Sequence, residues 1–178
     1  SKEFTGVQGL VVTDTMAVAV AAQACLPILH LDLSAYDGFV GIVIHPDEVV
    51  AHRNEMDDDG VVHEFDEPLT GEAMQCGPVM LAWADVASAG VSAEEGYNVV
   101  IHEFAHVLDM QDGIADGVPL LATAEARKAW IMVLDRELEA FQRRVAADEY
   151  TGLDPYGAEG PEEFFAVASE AFFVAPAL

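Results

Sequence analysis

Residues 97–113 read YNVVIHEFAHVLDMQDG, and this stretch decides how the rest of the chain is interpreted. Its apolar residues run from Tyr97 to about Met110 at helical spacing, and the Asp-Gly pair at its end predicts a turn. Ser92 followed three residues later by Glu95 is a capping-box pattern, which predicts the start of the helix. The sequence therefore places residues 102–106 within a helix.

Residues 102–106 spell HEFAH, which matches the pattern HExxH. Four residues apart on a helix, His102 and His106 lie on one face, so both imidazoles can reach one metal ion. Glu103 lies about 100° round the helix from His102, where it can act as a general base without being a third ligand. A random arrangement of this composition contains the pattern only about 0.02 times, so we interpret it as a metal site rather than two hydrogen-bonded core histidines.

A hydrolytic zinc site usually takes three protein ligands, so a further side chain must complete the pair. Glu163 and Glu170 lie on a predicted helix over residues 161–174 and share a face, so either could approach the histidines. Asp109, one turn beyond His106, could accept a hydrogen bond from an imidazole or cap the turn. The residues alone leave the choice of third ligand open.

The rest of the chain has an α+β pattern. Runs of β-branched and aromatic residues predict strands at 39–44 and 79–86, with a further short strand at 61–65. Helical spacing predicts one helix from Thr13 or Asp14 until Pro27 and another over residues 123–147. The strand at 79–86 could present its edge to an extended peptide or be an ordinary core strand.

Composition excludes several classes of function. The 178 residues predict a single domain, and the net charge of −25 argues against binding nucleic acid or anionic membranes. No apolar run reaches the roughly 18 residues that a membrane span needs, so we expect a soluble, cytoplasmic protein. Cys25 and Cys76 form no CxxC pair and are predicted to be buried free thiols.

Two long motifs carry a resemblance to a known family. Residues 98–119, NVVIHEFAHVLDMQDGIADGVP, and residues 154–173, DPYGAEGPEEFFAVASEAFF, resemble the Mlc titration factor A family of zinc-dependent peptidases. The segment AAQACLPIL at residues 21–29 is similar too. The resemblance implies a zincin-like fold, in which a small mixed sheet packs on the HExxH helix and further helices. It implies one catalytic domain over residues 1–178 that lacks the family's N-terminal extension.

The resemblance also implies roles for particular residues. In that gluzincin-like family, as in the similar catalytic domain of anthrax lethal factor, the third zinc ligand is a Glu seven residues after a catalytic Tyr. Tyr156 and Glu163 match this spacing, which implies Glu163 as ligand and Tyr156 as donor to the oxyanion. Glu170 then supports the ligands or the helix. One Zn2+ per chain and aminopeptidase-like cleavage of peptide substrates are expected.

The resemblance supports a second function as well. Members of the family are associated with sequestering a glucose-responsive transcriptional repressor in bacteria, so this chain could be a regulatory binding protein. The charge of −25 would complement a basic DNA-binding partner, although salt adaptation would produce the same charge. The intact HExxH, Tyr156 and Glu163 favour retained chemistry, and a structural zinc site is disfavoured because such sites usually close with four protein ligands.

Overall fold

A small mixed sheet and five helices make up the described part of the chain. The computed structural model describes residues 2–56, 62–92 and 96–176. In sequence order the strands are β1 (Glu3–Gly6), β2 (Gly41–His45), β3 (Val49–Met56), β4 (Val62–Leu69), β5 (Gly71–Ala73) and β6 (Val79–Ala82). The sheet has the order β1-β2-β6-β5, and β3 and β4 form a separate antiparallel pair. Strands β1, β2 and β6 are parallel, whereas β5 runs antiparallel to β6 at the edge.

The helices begin at capping residues that the sequence supplies. They are α1 (Asp14–Ala24), α2 (Trp83–Ser92), α3 (Val99–Asp109), α4 (Ala124–Ala146) and α5 (Pro161–Val174). Thr13 and Thr123 accept hydrogen bonds from backbone N–H groups in the first turns of α1 and α4. Pro161 occupies the first turn of α5, where its missing N–H costs nothing. Because these signals are local, the predicted bounds of α4 and α5 are confirmed.

Helix α3 lies in the core, in contact with α1, α5 and β5. Phe104 packs edge-on against Tyr36 and Phe39, with ring centroids 4.9 Å and 5.4 Å away. A second apolar cluster joins α4 to α5 through Leu134, Phe141 and Phe164. The packing of α5 against α3 brings the two helices that carry the predicted ligands together.

Several predictions about local structure are wrong. The predicted strand at 79–86 ends at Ala82, and the chain continues as α2, because a largely apolar run of eight residues is too short for its period to decide between strand and helix. Ser92 ends α2 instead of opening α3, which is capped by Asn98. Glu95, the other half of the predicted capping box, lies outside the described residues, as does Val61 at the start of the predicted short strand.

Of the two alternatives left open for the strand at 79–86, the structure shows the core strand. Strand β6 pairs with β2 on one side and β5 on the other, so it is a core strand, and the open edge belongs to β5. Strand β1 and helix α2 were not predicted. Cys25 and Cys76 are free thiols as expected, but both are exposed rather than buried. Within the described residues, no helix is long and apolar enough to cross a bilayer.

Candidate metal centre

Three side chains from two helices converge on one point. In α3, the Nε2 atoms of His102 and His106 lie 3.1 Å apart. From α5, Glu163 places Oε2 3.1 Å from Nε2 of His102 and 3.5 Å from Nε2 of His106. Within the part of the chain that the structure describes, these residues form a cluster whose potential ligand atoms all lie within 4.8 Å of one another.

The geometry of this cluster fits a zinc ion. Zinc bonds to imidazole nitrogen and carboxylate oxygen at about 2.0–2.2 Å, so neighbouring ligand atoms of a tetrahedral site lie about 3.3–3.5 Å apart. The three observed separations, 3.1, 3.1 and 3.5 Å, lie within about 0.2 Å of the edges of such a tetrahedron. Two imidazoles and one carboxylate are also a donor set that hydrolytic zinc sites use. The cluster could therefore hold a metal ion with room for a fourth, non-protein ligand.

Glu170 holds the opposite edge of the His102 ring. Its Oε1 atom lies 2.7 Å from Nδ1 of His102, and its Oε2 accepts a hydrogen bond from the backbone N–H of Asn98 at 2.5 Å. A carboxylate at Nδ1 favours the tautomer that carries its proton there and leaves Nε2 free as a ligand. Glu170 therefore orients the imidazole rather than competing with Glu163 for the same nitrogen.

Without a metal, the same contacts hold a proton in the cluster. Burial lowers the pKa of His102, but hydrogen bonds to Glu163 and Glu170 outweigh it and raise the pKa to about 10. Burial raises the pKa of Glu163, yet its hydrogen bonds to the two imidazoles bring it down to about 2. Burial raises the pKa of Glu170 despite its hydrogen bond to His102. Without a metal, the two carboxylates therefore favour the protonated form of His102.

Glu103 lies beside the cluster with only 5% of its surface exposed. Burial raises its pKa to about 7, against the opposing charges of His102 and His106 and a hydrogen bond from the backbone N–H of Ala73. A carboxylate with a pKa near neutrality can both accept and release a proton under ordinary conditions. Its position and pKa suit the role of general base.

A cavity of about 300 Å³ opens next to these residues. It is lined by His102, Glu103 and Glu170, by Thr70 and Gly71 at the start of β5, and by Tyr156. Tyr156 follows α4 in a short 3-10 turn, Pro155–Ala158, and its ring centroid lies 6.2 Å from that of His102. Its side chain is 41% exposed, at the mouth of the cavity. The structure thus brings Tyr156 to the same cavity as His102 and Glu103.

Asp109 is buried at the end of α3 and binds the following turn. Its Oδ2 accepts a hydrogen bond from the Gly117 N–H at 2.9 Å, while the indole N–H of Trp130 donates to the Gly117 carbonyl at 2.8 Å. Burial raises the pKa of Asp109, partly offset by the Gly117 N–H. These contacts match the predicted turn role. Orientation of an imidazole by Asp109 stays a prediction.

Two residues of the site were not predicted. Asn98 is 4% exposed and joins three elements: its Oδ1 caps α3, its Nδ2 donates to Gln23 of α1 at 2.8 Å, and its N–H binds Glu170. An asparagine directly before an apolar helical run is a capping signal, so the sequence contained the clue to Asn98. Gly71 of β5 contacts Glu103, and no sequence pattern predicts that contact.

Comparison with known proteins gives the family. The family model described as Glucose-regulated metallo-peptidase M90 matches residues 1–178. This chain belongs to that family. Its members are described as metallopeptidases, which agrees with a cluster that could hold a metal ion next to a buried carboxylate.

Individual relatives support the same assignment. The chain is 39% identical to Mlc titration factor A of Edwardsiella ictaluri and 36% identical to that of Cronobacter sakazakii, over 99% of its length in both cases. It is also 36% identical to an uncharacterised protein of Synechocystis over 97% of its length. The matches cover 68%, 67% and 63% of these relatives, so the chain spans about two thirds of their length. The resemblance to the Mlc titration factor A family is confirmed.

Proposed function

We propose that this chain is a zinc-dependent peptidase with one Zn2+ held by His102, His106 and Glu163. The observation that carries the proposal is the convergence of these three ligands within 4.8 Å, beside the buried carboxylate of Glu103. A binding surface without chemistry would have no use for a base with a pKa near 7 next to two histidines.

A zinc ion held by His102, His106 and Glu163 would polarise the scissile carbonyl and would make a bound water molecule more acidic. Glu103 takes the proton of the attacking water and delivers it to the leaving amine. Glu170 keeps the proton of His102 on Nδ1, so that Nε2 remains available as a ligand. Tyr156, at the cavity mouth, donates a hydrogen bond to the oxygen that becomes negatively charged during attack.

The open edge of β5 supports a peptide as substrate. Thr70 and Met74 pair their backbone groups with residues 82 and 78, so alternation turns the backbone groups of Gly71 and Ala73 away from β6. Because the Ala73 N–H binds Glu103, a peptide would pair with the backbone groups of Gly71 and the carbonyl of Ala73. An extended peptide could pair with this edge and present a carbonyl to the metal cluster. The resemblance favours a zincin-like, gluzincin-type arrangement in a single cytoplasmic domain. It also favours aminopeptidase-like cleavage.

The test combines metal content with hydrolysis of a panel of peptides and aminoacyl substrates. The wild type should bind about one zinc per chain and lose hydrolysis on chelation. Glu103→Gln should keep zinc and lose turnover, whereas His102→Ala should lose both. Glu162→Gln, a matched change next to the ligand on α5, should keep both. Full turnover in zinc-loaded Glu103→Gln would exclude Glu103 as the base.

A second candidate function is sequestration of a transcriptional repressor. The observation that favours it is the name Mlc titration factor A carried by relatives that match 99% of this chain. The net charge of −25 would complement a basic partner. Titration of a purified Mlc-type repressor with Glu103→Gln separates the two functions. Tight, salt-sensitive binding together with absent hydrolysis by the zinc-loaded wild type would favour the binding protein.

A further inference from the structure

Gly71 lies so close to the side chain of Glu103 that an added Cβ atom would force one of the two residues to move. A Cβ atom added to Gly71 would lie 2.6 Å from Oε1, 2.7 Å from Cγ and 2.8 Å from Cδ of Glu103. Real Cβ atoms essentially never approach another heavy atom within 3.0 Å. The backbone of Gly71 is in regular register opposite Leu81 and does not have a positive φ. The glycine is therefore needed for space and not for conformational freedom.

Strand β5 cannot easily move away to make that space. The Thr70 carbonyl accepts a hydrogen bond from the Ala82 N–H at 2.7 Å, and the Tyr97 hydroxyl lies 3.1 Å from Oγ1 of Thr70. Two residues beyond Gly71, the N–H of Ala73 donates to the Glu103 carboxylate. Strand β5 is thus fixed to β6, while Gly71 and Ala73 both contact Glu103.

Glu103 is the partner that would have to give way. Moving from 2.6 Å to the ordinary contact range of 3.4–4 Å displaces the nearest carboxylate oxygen by about 0.8–1.4 Å, enough to break a hydrogen bond of normal length. Glu103 lines the cavity of about 300 Å³, so the displaced carboxylate has space to shift into it. An added methyl group at Gly71 would therefore pull Glu103 away from the Ala73 N–H.

We propose that Gly71 is a positioning residue, whose missing side chain lets the edge strand hold the Glu103 carboxylate in place beside the histidines. Its effect on catalysis rests on the proposed peptidase function, in which Glu103 is the base. Its effect on the position of Glu103 does not, because the contact exists in the chain whether or not a peptide is cleaved.

The first measurement is amide hydrogen exchange in the metal-free full chain. Gly71→Ala should speed exchange of the Ala73 amide about 10-fold or more, since that amide loses its acceptor. Exchange of the Ala82 amide, which binds Thr70, should be unchanged. Gly38→Ala is the matched control, because a Cβ atom there meets nothing within 4 Å. Unchanged exchange of Ala73 in folded Gly71→Ala would overturn the proposal, whatever the activity of the wild type.

A double-mutant comparison guards against loss of folding. Gly71→Ala should lower the Tm with Glu103 present and leave it nearly unchanged in the Glu103→Ala background, where the clashing atoms are gone. An equal loss of Tm in both backgrounds would refute the contact as the cause.

The third measurement is the catalytic activity of the zinc-loaded variant. In zinc-loaded Gly71→Ala we expect kcat to fall about 10- to 100-fold, with zinc content unchanged and KM within about threefold. A wild-type kcat in Gly71→Ala would overturn the positioning role. If the wild type itself cleaves no substrate, the proposed function fails. The exchange and Tm results still show whether Gly71 determines the position of the Glu103 carboxylate.

Discussion

Replacing Glu170 by glutamine should weaken zinc binding although Glu170 is not proposed as a ligand. Its carboxylate faces two buried donors, Nδ1 of His102 at 2.7 Å and the Asn98 N–H at 2.5 Å. An amide of the same size has only one oxygen, so its NH2 group must face one of these donors. The side chain is 2% exposed, and water cannot readily replace the missing acceptor.

The size of the expected effect depends on whether His102 or the Asn98 N–H loses its hydrogen-bond acceptor. If the NH2 group faces His102, the ring must carry its proton on Nε2, the atom next to Glu163 and His106. Loss of such a supporting acceptor typically weakens metal binding about 10- to 100-fold, or about 1.4–2.7 kcal/mol. If the NH2 group faces Asn98 instead, the unsatisfied N–H costs about 1–3 kcal/mol of folding stability.

The assay is a competition titration of zinc against a chromophoric chelator, with urea unfolding of the metal-free protein beside it. Glu162→Gln is the control, because it makes the same chemical change on the same helix next to the ligand. We expect the control to change the zinc Kd by less than about twofold. If Glu170→Gln leaves both the Kd within about twofold and the unfolding free energy within about 0.5 kcal/mol, the reasoning is refuted.

Three further predictions follow from the same site. Because the His102 pKa is raised to about 10, zinc must displace a proton throughout the neutral range, so its affinity should rise about tenfold per pH unit from about pH 6 to 8; a flat profile in competition titrations would contradict this. Tyr156→Phe should lower kcat about 100-fold with little change in KM, since it removes a donor to the developing oxyanion, and an unchanged kcat would exclude that role. Asn98→Ala removes the cap of α3 and the side-chain bond to Gln23 but keeps the backbone N–H to Glu170, and it should cost about 2–3 kcal/mol in urea unfolding, against about 1 kcal/mol for the exposed cap variant Thr123→Ala; equal costs would show that the link to Gln23 adds nothing.

Where the sequence predicted local structure well, the signals lay within a few residues of one another. Thr123 and Pro161 mark the starts of α4 and α5, and the helical period of their apolar residues continues to the observed ends. The HEFAH pattern lies within α3 as predicted. The prediction failed at residues 79–86 because strand and helix patterns cannot be distinguished over so short a run.

By itself, the sequence determined how His102, His106 and Glu103 lie relative to one another, because their positions depend only on the pitch of one helix. It could not choose between Glu163 and Glu170, which lie two turns, or about 10 Å, apart on the same face of α5. Only the packing of α5 against α3 decided that Glu163 meets Nε2 of His102 while Glu170 meets Nδ1. The approach of Gly71 to Glu103 was likewise a tertiary outcome, since it depends on where β6 holds the edge strand over a helix formed elsewhere in the chain.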